Sequence, residues 1–286
     1  MIHLKQNDLT VSILDPIQDQ ARLGSRYCVG GYIWQVYDEK WGDLFSGPKY
    51  PDPNPSGFDG QGCPEIFEIA LGQDKAEIGG EVYVVGVGRV RRDSPVKPFH
   101  VRNNFTVLEF AKWAVEESTS RVTMKSREIC GENDLDLIRS VSLEGRILVS
   151  KTTVENKGTL DLPLRWFAHP FFPLAGWEST RFSVDCDLIR YLADSGGFKF
   201  NQTGNLERIP EFDWTKGCYQ LLNLPFGYPM EFFQKHPTLG EVKVECRFPL
   251  AFMPAWANDR TISIEPFHHT ILAPGAKTEW SIRYGF

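Results

Sequence analysis

The chain has no run of apolar residues long enough to cross a bilayer, no cysteines spaced C-x-x-C and no excess of positive charge, and each absence removes a class of function. Its 286 residues include 31 Lys and Arg against 37 Asp and Glu, a net charge of −6. The basic surface that nucleic acid demands is therefore missing, and neither nucleic acid nor membrane is an expected partner. Six cysteines, Cys28, Cys63, Cys130, Cys186, Cys218 and Cys246, are scattered along the chain. Without ligand spacing they read as reduced packing thiols rather than a zinc site or a redox dithiol. The first residues, MIHLKQNDLTVSILDP, lack the basic start and apolar core of a secretion signal, so the cytoplasm is the expected compartment.

What is present in quantity is turn chemistry and alternation. Glycine (25) and proline (19) are plentiful, as a chain of many short strands requires. In EVKVECRFPLAF, Val242, Val244, Cys246 and Phe248 alternate with Lys243, Glu245 and Arg247, and EWSIRYGF places Trp280, Ile282, Tyr284 and Phe286 on one face. Both are signatures of half-buried antiparallel strands. SLEGRILVSKTTVEN reads as two strands about a tight turn at Glu144-Gly145. The stretch FTVLEFAKWAVEES fits helical and strand periods alike and reads as strand from Trp113 onwards, while GPKYPDPNPSGFDGQG is an irregular loop. No repeat or linker divides the chain. The expected architecture is all-β, an antiparallel two-sheet sandwich, in one domain over residues 1–286.

Two strand ends carry the candidate chemistry. In TISIEPF, Glu265 follows Thr261 and Ser263 on the polar face and precedes a proline; in RWFAHPFFP, His169 is likewise followed by proline. A carboxylate and an imidazole at the ends of two strands form the simplest acid and base pair, and histidine, with an ordinary pKa near ~6.5, exchanges protons readily at neutral pH. Either residue alone also fits a solvated strand end. Trp34, Trp113 and Trp166 are core aromatics by default, and Phe171 or Phe172, leaving the strand with His169, are the aromatics placed to touch a ligand. His268-His269 reads as a solvated loop, not a metal site. The basic run RVRR, Arg89 to Arg92, is most simply a solvated end.

The segments TTVENKGTLDLPLRWFAHPFFPL and TISIEPFHHTILAPGAKTEWSIRYGF, with GCPEIF and VGVGRVRR between residues 62 and 92, together resemble the aldose 1-epimerase (galactose mutarotase) family, including its hexose-6-phosphate members. The resemblance covers roughly residues 25 to 286. It implies the galactose mutarotase sandwich and the interconversion of α and β anomers of an aldose, with no metal or organic cofactor. It places the family's catalytic histidine on His169, its glutamate on Glu265, its substrate-binding arginine on Arg89 and its Tyr-Phe pair on Phe171-Phe172. One alignment of RIPEFDWTKGCYQLL puts a sugar-binding aspartate on Asp213. A histidine found in many members is Val85 here, which leaves a non-catalytic carbohydrate-binding protein as the alternative.

Anomer exchange needs a proton removed from the C1 hydroxyl and another delivered to the ring oxygen. Glu265 is the expected base and His169 the acid. Their functional atoms are expected to face one groove, roughly 5 to 9 Å apart, the spacing of carboxylates that flank a sugar. The Gly-x-Pro stretch offers Gln61, Gly62 and Glu65 rather than cations, so a neutral aldose, or a neutral sugar ending a longer glycan, is expected in preference to a phosphosugar.

Overall fold

The computed structural model describes residues 1–54, 59–184 and 196–286. Cys186 lies outside them; the other five cysteines are free thiols. Among the described residues helical structure is confined to three-residue 3-10 turns such as Gln20–Arg22, and no helix is long and apolar enough to cross a membrane.

A ten-stranded antiparallel sheet forms one layer, its strands ordered Ala114–Glu117, Arg121–Cys130, Asn133–Glu144, Ile147–Asn156, Lys277–Gly285, Gly240–Cys246, Met230–His236, Glu178–Phe182, Leu206–Arg208 and Phe198–Phe200. The alternation read from the sequence decides which side chains enter the core. Trp280, Ile282 and Tyr284 turn inward from one strand, and Val242, Val244 and Cys246 from its neighbour. The turn between Glu144 and Ile147, which face each other in register, is closed by Gly145 at φ +64°, a backbone region most side chains avoid. The ambiguous stretch near residue 110 forms strands Val107–Phe110 and Ala114–Glu117. Trp113 between them is buried against Gly30, where even a Cβ would fall 2.3 Å from the indole.

Smaller antiparallel sheets make the opposing layer. One pairs Phe267–Leu272, Leu162–Ala168 and Glu65–Phe67; another orders Phe172–Pro173, Thr261–Ile264, Pro254–Ala257 and Cys218–Leu221. Ring contacts seal the two layers: Trp166 lies 5.6 Å from Trp280, and Phe172 lies 6.4 Å from Tyr284. The expected sandwich is thus present, with one continuous layer and one built of pieces. His268 and His269 lie on a strand rather than in a loop, His268 packed between Phe248 and Trp280.

The basic run is built into the frame. Arg89 pairs with Glu81 and Glu109, and Arg91 with Asp93. Arg92 is buried, donating to the carbonyls of Gln73, Ala76, Ser94 and Val96. The solvated end expected for all three therefore holds for Arg89 and Arg91, whose side chains are about half exposed, and fails for Arg92.

Candidate active site

Period-two alternation in the sheet that contains Thr261–Ile264 sorts its residues onto two faces. Phe172, Ile262, Ile264, Ala255, Ala257 and Cys218 all belong to the main core. Register pairs Trp256 with Ser263 and Tyr219, and Pro173 with Thr261, on the opposite face. By the same parity His169 and Phe171 precede Pro173 on that face, and Glu265 follows Ser263. The strands end at Ala168 and Ile264, so each candidate residue sits between a strand end and a proline, which lacks a ladder donor and holds its predecessor extended.

The backbone there is pinned. His169 donates its N–H to the carbonyl of Pro64, Phe171 to that of Gly62, and Glu265 to that of Pro254, at 2.8, 2.8 and 2.9 Å. Gly62 is at φ +70°, and a Cβ there would sit 2.3 Å from the Ile33 carbonyl oxygen, so only glycine lets this segment approach.

His169 Nε2 lies 3.2 Å from Glu265 Oε1, with the two side chains 6% and 4% exposed. Phe171 stacks on the imidazole with ring centres 4.3 Å apart, and Trp256 and Phe167 close in at 5.9 and 6.2 Å. This apolar box penalises charge on both partners. Burial pushes the Glu265 carboxyl up to about 8, the Arg26 guanidinium pulling it down and Glu68 pushing it further up. Burial holds His169 well below the usual histidine range, and Arg26 acts in the same direction. Both shifts favour a neutral pair, with the proton on Glu265. His169 Nδ1 and Ser263 Oγ, buried on the same face, have no hydrogen-bond partner among the described residues.

The expected 5 to 9 Å separation is not what the fold provides. The other sequence candidates lie elsewhere. Phe172 faces the core between Phe45 and Tyr284. Arg89 is half exposed between its two glutamates. Asp213 caps a 3-10 turn, accepting from the N–H and hydroxyl of Thr215 and pairing with Lys216. Val85 is a core residue.

Sequence reasoning missed Arg26, the cation that acts on both members of the pair, and the aromatic wall of Trp256 and exposed Tyr219. Arg26 sits in a loop with no periodicity to mark it. Trp256 and Tyr219 were findable, since parity aligns them with Ser263 once the register is known.

No family model matches the sequence, and no curated protein does. Solved structures do match. A galactose mutarotase related enzyme from Lactobacillus acidophilus superposes with a TM-score of 0.60 at 15% identity, covering 99% of this chain and 96% of its own. A galactose mutarotase-like protein from Lactobacillus casei gives 0.56 at 11% identity, covering 100% and 99%. Another from Clostridium acetobutylicum gives 0.53 at 12% identity, covering 99% and 93%. The chain therefore has the galactose mutarotase-like sandwich fold.

Proposed function

We propose that this protein is a mutarotase of the aldose 1-epimerase type, exchanging the α and β anomers of an aldose at His169 and Glu265. The observation that carries the reading is the 3.2 Å contact between imidazole and carboxyl on the polar face of the sheet, inside a box that keeps both neutral. With the proton resting on Glu265, the roles reverse those expected from sequence. Glu265 delivers its proton to the ring oxygen while His169 takes the proton of the C1 hydroxyl. The bond from C1 to the ring oxygen breaks and a C1 carbonyl forms. After rotation about C1–C2, the imidazolium returns its proton to the carbonyl oxygen as the ring hydroxyl attacks C1 and gives its own proton to Glu265. Atoms and charge balance, and the fold's residues supply both proton carriers. The positive charge of Arg26 acts on both groups, and it favours the partial negative charge that develops on the sugar oxygens. Trp256, partly exposed, gives the sugar's apolar face a surface, and Phe171 backs it from beneath, buried against His169. In this reading Arg89, Phe172 and Asp213 contribute to the frame and not to substrate contact.

A second reading, a carbohydrate-binding protein without turnover, is favoured by one observation: the pair closes on itself, with almost no surface exposed. Saturation-transfer NMR on glucose and galactose separates the two. A mutarotase raises the anomer exchange rate in proportion to enzyme concentration, whereas a binder leaves the spontaneous rate unchanged.

A further inference from the structure

We infer that the buried ion pair of Glu65 and Arg139 is the positioning device of the site, setting His169 and the segment after Arg26 from behind; this rests on the proposed mutarotase reading. Arg139 Nη2 lies 2.5 Å from Glu65 Oε2, with side chains 1% and 3% exposed. The remaining valences are filled. Glu65 accepts from Ser150 Oγ and from the indole of Trp166 at 2.5 and 2.9 Å. Arg139 donates to the Gly30 carbonyl and Ser150 Oγ at 3.1 and 3.0 Å, and to Thr152 Oγ1.

These partners belong to two of the chain segments that build the site, those of His169 and of Arg26. Trp166 is three residues before His169, on the strand that ends at Ala168, and Ala168 faces Glu65 in register. Pro64, next to Glu65, accepts the N–H of His169. On the other side, the Glu65 carbonyl accepts the N–H of Cys28, two residues after Arg26, and Arg139 holds Gly30. Gly31, at φ +77°, leaves room for the guanidinium, which a Cβ would approach to 3.1 Å. Arg139, Ser150 and Thr152 stand on two adjacent interior strands of the ten-stranded sheet, Asn133–Glu144 and Ile147–Asn156. One desolvated charge pair thus ties both segments to the interior of the ten-stranded sheet. Stability alone does not require it, because buried ion pairs are commonly replaceable by apolar groups without loss. A group that must hold an imidazole to a fraction of an ångström gives it a reason to be there, since a displacement near 1 Å costs on the order of 10²-fold in rate.

The test compares the double variant Glu65→Gln/Arg139→Met, in which no buried charge is stranded, with Trp166→Phe, which removes a single bond to Glu65. Anomer exchange gives kcat and KM, and 15N-histidine labelling, assigned through His169→Asn, reads the His169 ring without any turnover. The expected result is cooperative unfolding in both variants, moved His169 ring signals, and kcat lowered about 10²-fold in the double variant with KM nearly unchanged. A double variant with wild-type kcat and His169 signals overturns the inference. If it does not fold, unmoved His169 signals in Trp166→Phe overturn it. If the wild-type protein exchanges no anomers, the proposed function falls, while the His169 signals still decide the positioning.

Discussion

His169 and Glu265, delivered by two different sheets, meet at 3.2 Å beneath the stacked ring of Phe171. If this contact performs proton exchange, replacing either member without changing its shape removes turnover and leaves the fold. His169→Asn and Glu265→Gln are each expected to lower anomer exchange by at least ~10²-fold, with cooperative thermal unfolding retained. Saturation-transfer NMR and calorimetry check both halves, and a rate within a few fold of wild type would remove the pair from the mechanism.

The pH dependence follows from the same burial. Glu265 has a folded value of about 8 against 4.5 for the free carboxyl. Between those values the folded chain holds a proton that the unfolded chain has lost, so stability falls as pH rises across that window. His169, held below 6.5, works on the other side: below that pH the unfolded imidazole gains a proton that the folded one refuses, and stability falls as pH drops. Melting temperatures of wild type and Glu265→Gln, measured from pH 5 to pH 9, should therefore diverge in favour of the variant up to about pH 8 and then run parallel. Activity, which needs the proton on Glu265, should decline through about pH 8, and a flat alkaline limb would contradict the assigned roles.

How much of this was legible in the sequence depends on the length scale. Alternation gave the strands, because side-chain parity is a local property, and the Glu-Pro and His-Pro endings marked the pair, because proline stops a ladder wherever it falls. The sequence left Phe171 and Phe172 both as candidates, and the contacts separate them, Phe171 stacking on His169 and Phe172 packing between Phe45 and Tyr284. The 3.2 Å contact was beyond sequence, since it depends on how two sheets meet. Arg26 was beyond it as well, a loop residue ahead of Cys28 and Gly30, whose backbone groups bond to the Glu65 carbonyl and to the buried Arg139. Glu65 was read only as an acidic residue unfavourable to phosphate, because nothing in GCPEIF shows that its partner stands on a strand seventy residues away.

The two neighbouring phenylalanines should respond in opposite ways. Phe172 is sealed between Phe45 and Tyr284, and Phe172→Ala should cost about 3 to 5 kcal/mol of stability while the folded fraction keeps its KM. Phe171→Ala removes the ring that excludes water from His169, so the imidazole should titrate closer to its ordinary range and KM should rise. Urea unfolding combined with exchange kinetics checks the contrast, and equal effects of the two variants on KM would refute it.

A neutral aldose should be preferred to its 6-phosphate. Tight phosphate recognition takes about two or more convergent cations, and the arginines of the basic run, with Arg208, are committed elsewhere. Arg89 and Arg91 are held in carboxylate pairs, Arg92 is spent on four backbone carbonyls, and Arg208 donates to the carbonyls of Asn258 and Gly176 beneath Trp177 and Trp214. Arg26 is the cation that acts on the His169–Glu265 pair, and Glu68 opposes it there. Competition by glucose, galactose and their 6-phosphates, followed by NMR titration at low and high salt, reads the preference directly. Phosphates binding at least about tenfold tighter, with an advantage that collapses as salt screens it, would show that a second cation completes the clamp and would overturn the prediction.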